Sequence, residues 1–139
     1  MHAFDPTENL VRTWAEAQVG GATVQLNLGV DTGCSQTILV GSAITTLTYE
    51  TGFGDPLTVV TAGGDITGHK LKLDLLSALG QDALNYEVLV CDLPSSLGVD
   101  GLLGLDFYRG KHLHLDFENG FIDLEGPEWT TSKGIARNS

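Results

Sequence analysis

Over much of its length the chain alternates apolar and polar positions with a period of two, the spacing of a half-buried β-strand. Residues 12–19 and 22–30 carry this pattern on either side of Gly20-Gly21, a pair that supplies the positive φ of a tight hairpin turn. In the second arm Val24, Leu26, Leu28 and Val30 fall on one face and Thr23, Gln25 and Asn27 on the other, which predicts one buried side. Residues 37–40, 57–62, 66–75 and 84–90 read as further strands, with Lys70-Leu71-Lys72-Leu73-Asp74-Leu75 alternating throughout. Residues 113–117 and 121–124 flank Glu118-Asn119-Gly120, where Asn-Gly signals another hairpin.

Helical signal is sparse. Asp5-Pro6-Thr7-Glu8 has the cap, first-turn proline and third-position glutamate of a helix start, but strand pattern follows soon after, so a single turn or a loose N-terminal arm is expected. Residues 105–109 predict a short helix ahead of Gly110. Residues 126–139 are turn-rich and polar and read as a partly disordered tail. Many short strands at close spacing define an all-β fold, a sandwich or a barrel.

At 139 residues the chain fits one domain, and 42% hydrophobic with 18% charged residues is the balance of an ordinary soluble one. The formal charge of −11 would repel a phosphate backbone or an anionic membrane surface, so neither nucleic acid nor membrane is an expected partner. Cys34 and Cys91 could pair, but two cysteines are too few for a disulfide framework, and reduced thiols are the default. The first thirty residues hold no basic segment followed by an apolar run, and no stretch approaches the length of a membrane span. The chain is therefore read as cytoplasmic rather than secreted.

Candidate chemistry centres on Leu28-Gly29-Val30-Asp31-Thr32-Gly33-Cys34-Ser35, where an acidic residue directly follows a hydrophobic strand. A carboxylate there is costly unless it is hydrogen-bonded or paired. An ordinary Asx turn ending the strand would account for Asp31 as well. About thirty residues later Thr61-Ala62-Gly63-Gly64-Asp65 forms a Gly-rich hairpin tip, and Asp100-Gly101-Leu102-Leu103-Gly104-Leu105-Asp106-Phe107 follows nearer the C-terminus.

In this order the three segments resemble the retropepsin family and its bacterial relatives: an Asp-Thr-Gly triplet, a flap hairpin, then two hydrophobic residues and a glycine. The resemblance covers residues 11–124. It implies an all-β, retropepsin-like subunit, a closed β-barrel or sandwich with a flap hairpin and one short C-terminal helix. Residues 1–10 would be an N-terminal arm, 11–125 the protease domain and 126–139 a C-terminal tail. It further implies that Asp31 is the catalytic carboxylate and that Thr32 bonds across a subunit boundary. Gly33 would admit close approach to substrate, and Leu103-Gly104 would buttress the loop. Ala62, Gly63, Gly64 and Asp65 would form the flap over an extended polypeptide substrate. One triplet supplies one carboxylate, so the implied enzyme is a homodimeric aspartic endopeptidase with no cofactor and no metal. The alternative is a catalytically silent β-domain that dimerises or binds peptide.

Retroviral members commonly carry alanine and then aspartate after the triplet, and arginine after the later glycine; here Cys34, Ser35 and Leu105 take those places, and the ion pair they form is absent. Cys34 reads as packing rather than as a nucleophile, which would need a histidine base. His112, His114 and Asp116 alternate on a strand, as zinc ligands could, but a solvated polar face opposite Leu113, Leu115 and Phe117 explains them with no metal.

Overall fold

The computed structural model describes residues 1–48, 56–61 and 64–127. In chain order its strands are β1 (His2–Ala3), β2 (Arg12–Val19), β3 (Ala22–Val30), β4 (Ile38–Leu39), β5 (Pro56–Thr61), β6 (Gly64–Ala78), β7 (Gln81–Val90), β8 (Gly101–Leu103), β9 (His112–Asp116) and β10 (Phe121–Glu125). The helices are one turn each: α1 (Thr45–Thr48), which continues a 3-10 turn at Gly41–Ile44, and α2 (Leu105–Tyr108).

Six strands close into a barrel in the order β2-β3-β8-β4-β7-β6, and β6 returns to β2 through Ala15–Gln18 opposite Leu75–Ala78. Among the described residues β5 pairs only with the first half of β6, so this hairpin extends beyond the ring. The all-β, retropepsin-like barrel anticipated above is the observed fold, with α2 as the short C-terminal helix. The β2–β3 hairpin turns at Gly20, whose φ of 59° suits glycine. Its second arm buries Leu26 and Leu28 and exposes Thr23 and Gln25, as alternation requires.

Two details depart from the pattern. Leu71 and Leu73 point inward, but Leu75 is only half-buried and Leu76 takes the next inward place. The inward set changes at Asp74, beside Asn85, whose φ is 50°, where β6 acquires β2 as its second neighbour and the barrel closes. The other departure is the helical run 41–48, which gave no sequence signal.

A second sheet, β1-β10-β9, lies beside the barrel. The N-terminal ten residues hold a turn at Asp5–Glu8, closed by the Glu8 N–H donating to Asp5 O at 3.3 Å. Ahead of that turn they hold β1 and the buried Phe4, so this segment is docked rather than loose. Ile122 and Leu124 carry the apolar face of the sheet into the common core with Leu26, Leu73, Tyr86 and Phe107. Burying each such side chain stabilises the fold by about 1.5–3 kcal/mol. Residues 128–139, and with them most of the expected tail, lie outside the described residues.

Candidate active site

Asp31 sits one residue beyond β3, where the parallel β3–β8 ladder runs on. Val30 pairs with Leu103, and the Asp31 N–H donates to Leu103 O at 3.0 Å. The chain then turns sharply. Cys34 N–H donates to Asp31 O at 3.2 Å, and Gly33 N–H donates to Asp31 Oδ1 at 2.9 Å. This is an Asx turn of the kind expected where an aspartate ends a strand, and it leaves Asp31 half-buried beside the exposed Thr32 and Gly33.

The other side of the loop is fixed by the β8–α2 corner. Leu105 N–H donates to Cys34 O at 2.8 Å, and Gly104 N–H donates to Thr37 Oγ1 at 3.1 Å. Gly104 has no room for a side chain: a Cβ there would lie 2.8 Å from Cys34 O and 2.8 Å from the Gln36 carbonyl carbon. Close approach of two backbones, not a special φ, is what this glycine permits. Leu103 is fully buried behind it, and its carbonyl also accepts from the Tyr108 hydroxyl at 2.9 Å.

Beneath the loop lies a carboxylate that the sequence reading passed over. Asp106, on α2, is 7% exposed; its Oδ1 accepts from Thr37 N–H at 2.9 Å and from Thr37 Oγ1–H at 2.8 Å. Charge-assisted bonds of this kind are stronger than neutral ones. A signal was present: an aspartate inside the apolar run Leu102–Phe107 is as costly as one after β3, and the same argument applied to Asp31 would have found it. Thr37, fully buried, carries no such mark.

Electrostatics reinforce the picture of a dry interior. The Cys34 thiol is fully enclosed, donates to Gln36 O at 2.9 Å, and is pushed up by burial and then by the charges of Asp31 and Asp106. A thiolate nucleophile is disfavoured on these grounds. Cys91 is pushed up to about 11, mainly by burial, and both cysteines are free thiols. Tyr86 and Tyr108 are raised by burial and by Asp106.

Of the residues expected at the site, Asp31 is hydrogen-bonded to Leu103 and to Gly33, Gly104 is bonded to Thr37, and Thr32 stands exposed between Asp31 and Gly33. Gly64 and Asp65 are exposed and begin β6, opposite Thr61 and Val60 in the separate β5–β6 hairpin. Ala62 and Gly63 lie outside the described residues. His112, His114 and Asp116 are exposed on β9, and the Asp116 carboxylate is engaged by its own turn. Among the described residues no group of three or more His, Cys, Asp or Glu is placed to hold a metal ion.

The aspartyl protease family matches residues 15–107, about two thirds of the chain, a stretch that takes in both Asp31 and the Leu102-Leu103-Gly104 corner. The chain belongs to that family, in its retropepsin-like form. A search of curated proteins finds no match.

Proposed function

We propose that this protein is an aspartic endopeptidase that works as a homodimer, each copy contributing one Asp31. The observation that carries this reading is the placement of Asp31. Its carboxylate stands half-buried at the end of β3, on a loop gripped from behind by β8 and α2. Peptide hydrolysis by water needs one carboxylate as general base and one carboxylic acid as proton donor. A two-fold interface with Asp31 near its axis supplies both from one gene product. Like carboxylates held together cannot both ionise freely, so the pair shares one proton, and activity follows a bell on the acid side of neutral. Water attacks the scissile carbonyl directly, and no acyl-enzyme forms.

Around this centre Thr32 reaches across the subunit boundary and Gly33 lets substrate approach the backbone. Leu103 and Gly104 support the loop, and residues 62–65 cover an extended peptide whose main chain provides affinity and whose alternate side chains provide selectivity. We assign the protease unit to residues 11–125. The test is cleavage of a diverse peptide library between acidic and neutral pH, with specific activity followed on dilution. Cleavage with activity that falls as dimers dissociate is the expected result. Full specific activity in a sedimenting monomer would defeat the dimeric mechanism, and failure to cleave any peptide would leave a silent binding module.

A further inference from the structure

Exposed apolar side chains are unevenly placed. Among the described residues seven large ones are exposed, and five of them, Met1, Trp14, Leu115, Phe117 and Phe121, stand around β1, with β9 and β10 on one side of it and β2 on the other. Contacts join them. Ala3 pairs with Phe121, and the Phe117 ring packs edge-to-face with Phe4 at 5.5 Å between centroids. Met1 lines two neighbouring cavities of about 580 Å³ each, one shared with Leu115 and Phe121, the other with Phe4 and Trp14. Apolar residues scattered singly over a surface need no explanation, whereas a gathered set rimmed by polar groups marks an interaction site. Trp14, 67% exposed at the wall of a cleft, is of the residue type that anchors such sites.

Charge decides what fits there. Five carboxylates line the two cavities: Asp5, Glu8, Asp116, Asp123 and Glu125. Of the cations beside them, Arg12 is taken by Glu8 at 2.9 Å and by the Gly98 carbonyl, and the terminal ammonium is taken by Asp123 at 2.9 Å. Hydrogen bonds from Thr7 hold the Asp5 carboxyl below its usual value, so it stays an anion. With histidine neutral, this end keeps a surplus of negative charge around its apolar ground, on a chain whose formal charge is −11. A second copy would bring the same anions against these, and an anionic membrane would be repelled in the same way.

We propose that the surface around β1 is a docking site for a polypeptide segment that carries Lys or Arg among apolar residues, with Trp14 as its anchor. The partner's apolar side chains settle against Met1, Trp14, Phe117 and Phe121, and its cations meet the surplus carboxylates and the face of the Trp14 ring. The site holds whether or not Asp31 is catalytic.

Calorimetric titration of the full chain with a short synthetic peptide alternating leucine and lysine tests this, beside a leucine–glutamate and a serine–lysine peptide. The expected result is binding of the leucine–lysine peptide alone, about tenfold weaker in Trp14→Ala and largely restored in Trp14→Phe. Glu125→Gln and added salt should each weaken it about two- to fivefold, since exposed ion pairs are worth little and are screened. Leu84→Ala, at an exposed apolar position on β7, should leave it unchanged. Equal binding of the serine–lysine peptide, or as large a loss in Leu84→Ala as in Trp14→Ala, would reduce the effect to general charge attraction and overturn the proposal. Binding that appears only once Lys133→Glu and Arg137→Glu are combined would give the surface to the chain's own residues 128–139, where Trp129 and Ile135 accompany those two cations. Sedimentation in which Trp14→Ala or Phe121→Ser dissociates a wild-type dimer would give it to a second copy. Either result overturns the proposal, and so does a failure of all three peptides to bind.

Discussion

Asp31 and Asp116 occupy the same local situation in two different regions. Each closes a strand, and each accepts a backbone N–H from two residues further on, Gly33 at 2.9 Å and Glu118 at 3.0 Å. Beyond that they diverge. Asp116 also takes Asn119 N–H at 2.9 Å on Oδ1 and the Asn119 side-chain amide at 3.0 Å on Oδ2, all in solvent, so its lone pairs are spent on its own turn. The loop of Asp31 is instead held by partners from β8 and α2, through its backbone and through Thr37. Local turn chemistry is thus common to both, and tertiary support distinguishes them. Where the rest of the fold holds the loop, the carboxylate is left with acceptor capacity for something else.

Replacement of each aspartate by asparagine should separate the two regions most sharply. Asp31→Asn keeps shape and turn but removes the ionisable group, and peptide cleavage should fall by about 10²–10⁴-fold, the usual worth of a general acid–base group. Circular dichroism and sedimentation should remain those of wild type. Activity close to wild type would move catalysis away from this loop.

Gly104→Ala probes the tertiary support itself, with an intermediate effect. The new methyl meets the carbonyls of Cys34 and Gln36, both backbone, so the loop or the β8–α2 corner must shift. Overpacking of this kind costs about 1–3 kcal/mol of stability, read from denaturant midpoints at unchanged m-value. Catalysis should fall as well, since the displaced atoms belong to the loop that carries Asp31. Unaltered stability would mean that the corner is looser than its contacts imply.

Legibility in the sequence followed the same division between local and tertiary. The β2–β3 hairpin, the Asn119-Gly120 turn and α2 were readable because period-two alternation, turn residues and a following glycine all act within a few positions. β1 was not, since two residues cannot display a period and its pairing with Ile122 and Phe121 is settled by the distant β10. The parallel docking of β8 on β3 was equally hidden, because nothing in Gly101-Leu102-Leu103 names its partner. The change of inward set at Asp74 is tertiary too, arising only where β2 joins β6. Asp31 stands out because its position is costly, whereas the pairing of Thr37 with Asp106 is hidden, because 69 residues separate them and only folding brings them together.

The smallest expected effect concerns Asp116 and runs through pH. Hydrogen bonds from the Asn119 side chain, and then from the Asn119 backbone, hold its carboxyl below the usual 3.8. A carboxylate whose folded value is depressed stabilises the native state fully above its unfolded value, and that contribution disappears as pH falls through the folded one. Asp116→Asn should therefore lower Tm slightly at neutral pH, where the charged form makes those bonds. The gap between the two proteins should narrow once the pH drops below about 3.8, as wild type gives up the same interaction by protonation. Asp5, held low by Thr7 in the same manner, remains in both proteins and cancels in the comparison. Cleavage activity should not change, because β9 and β10 belong to the other sheet and their turn makes no contact with the Asp31 loop among the hydrogen bonds described. Thermal unfolding of the pair between pH 2 and pH 7 measures this, and a gap of constant size across that range would show that Asp116 supports its turn without its charge.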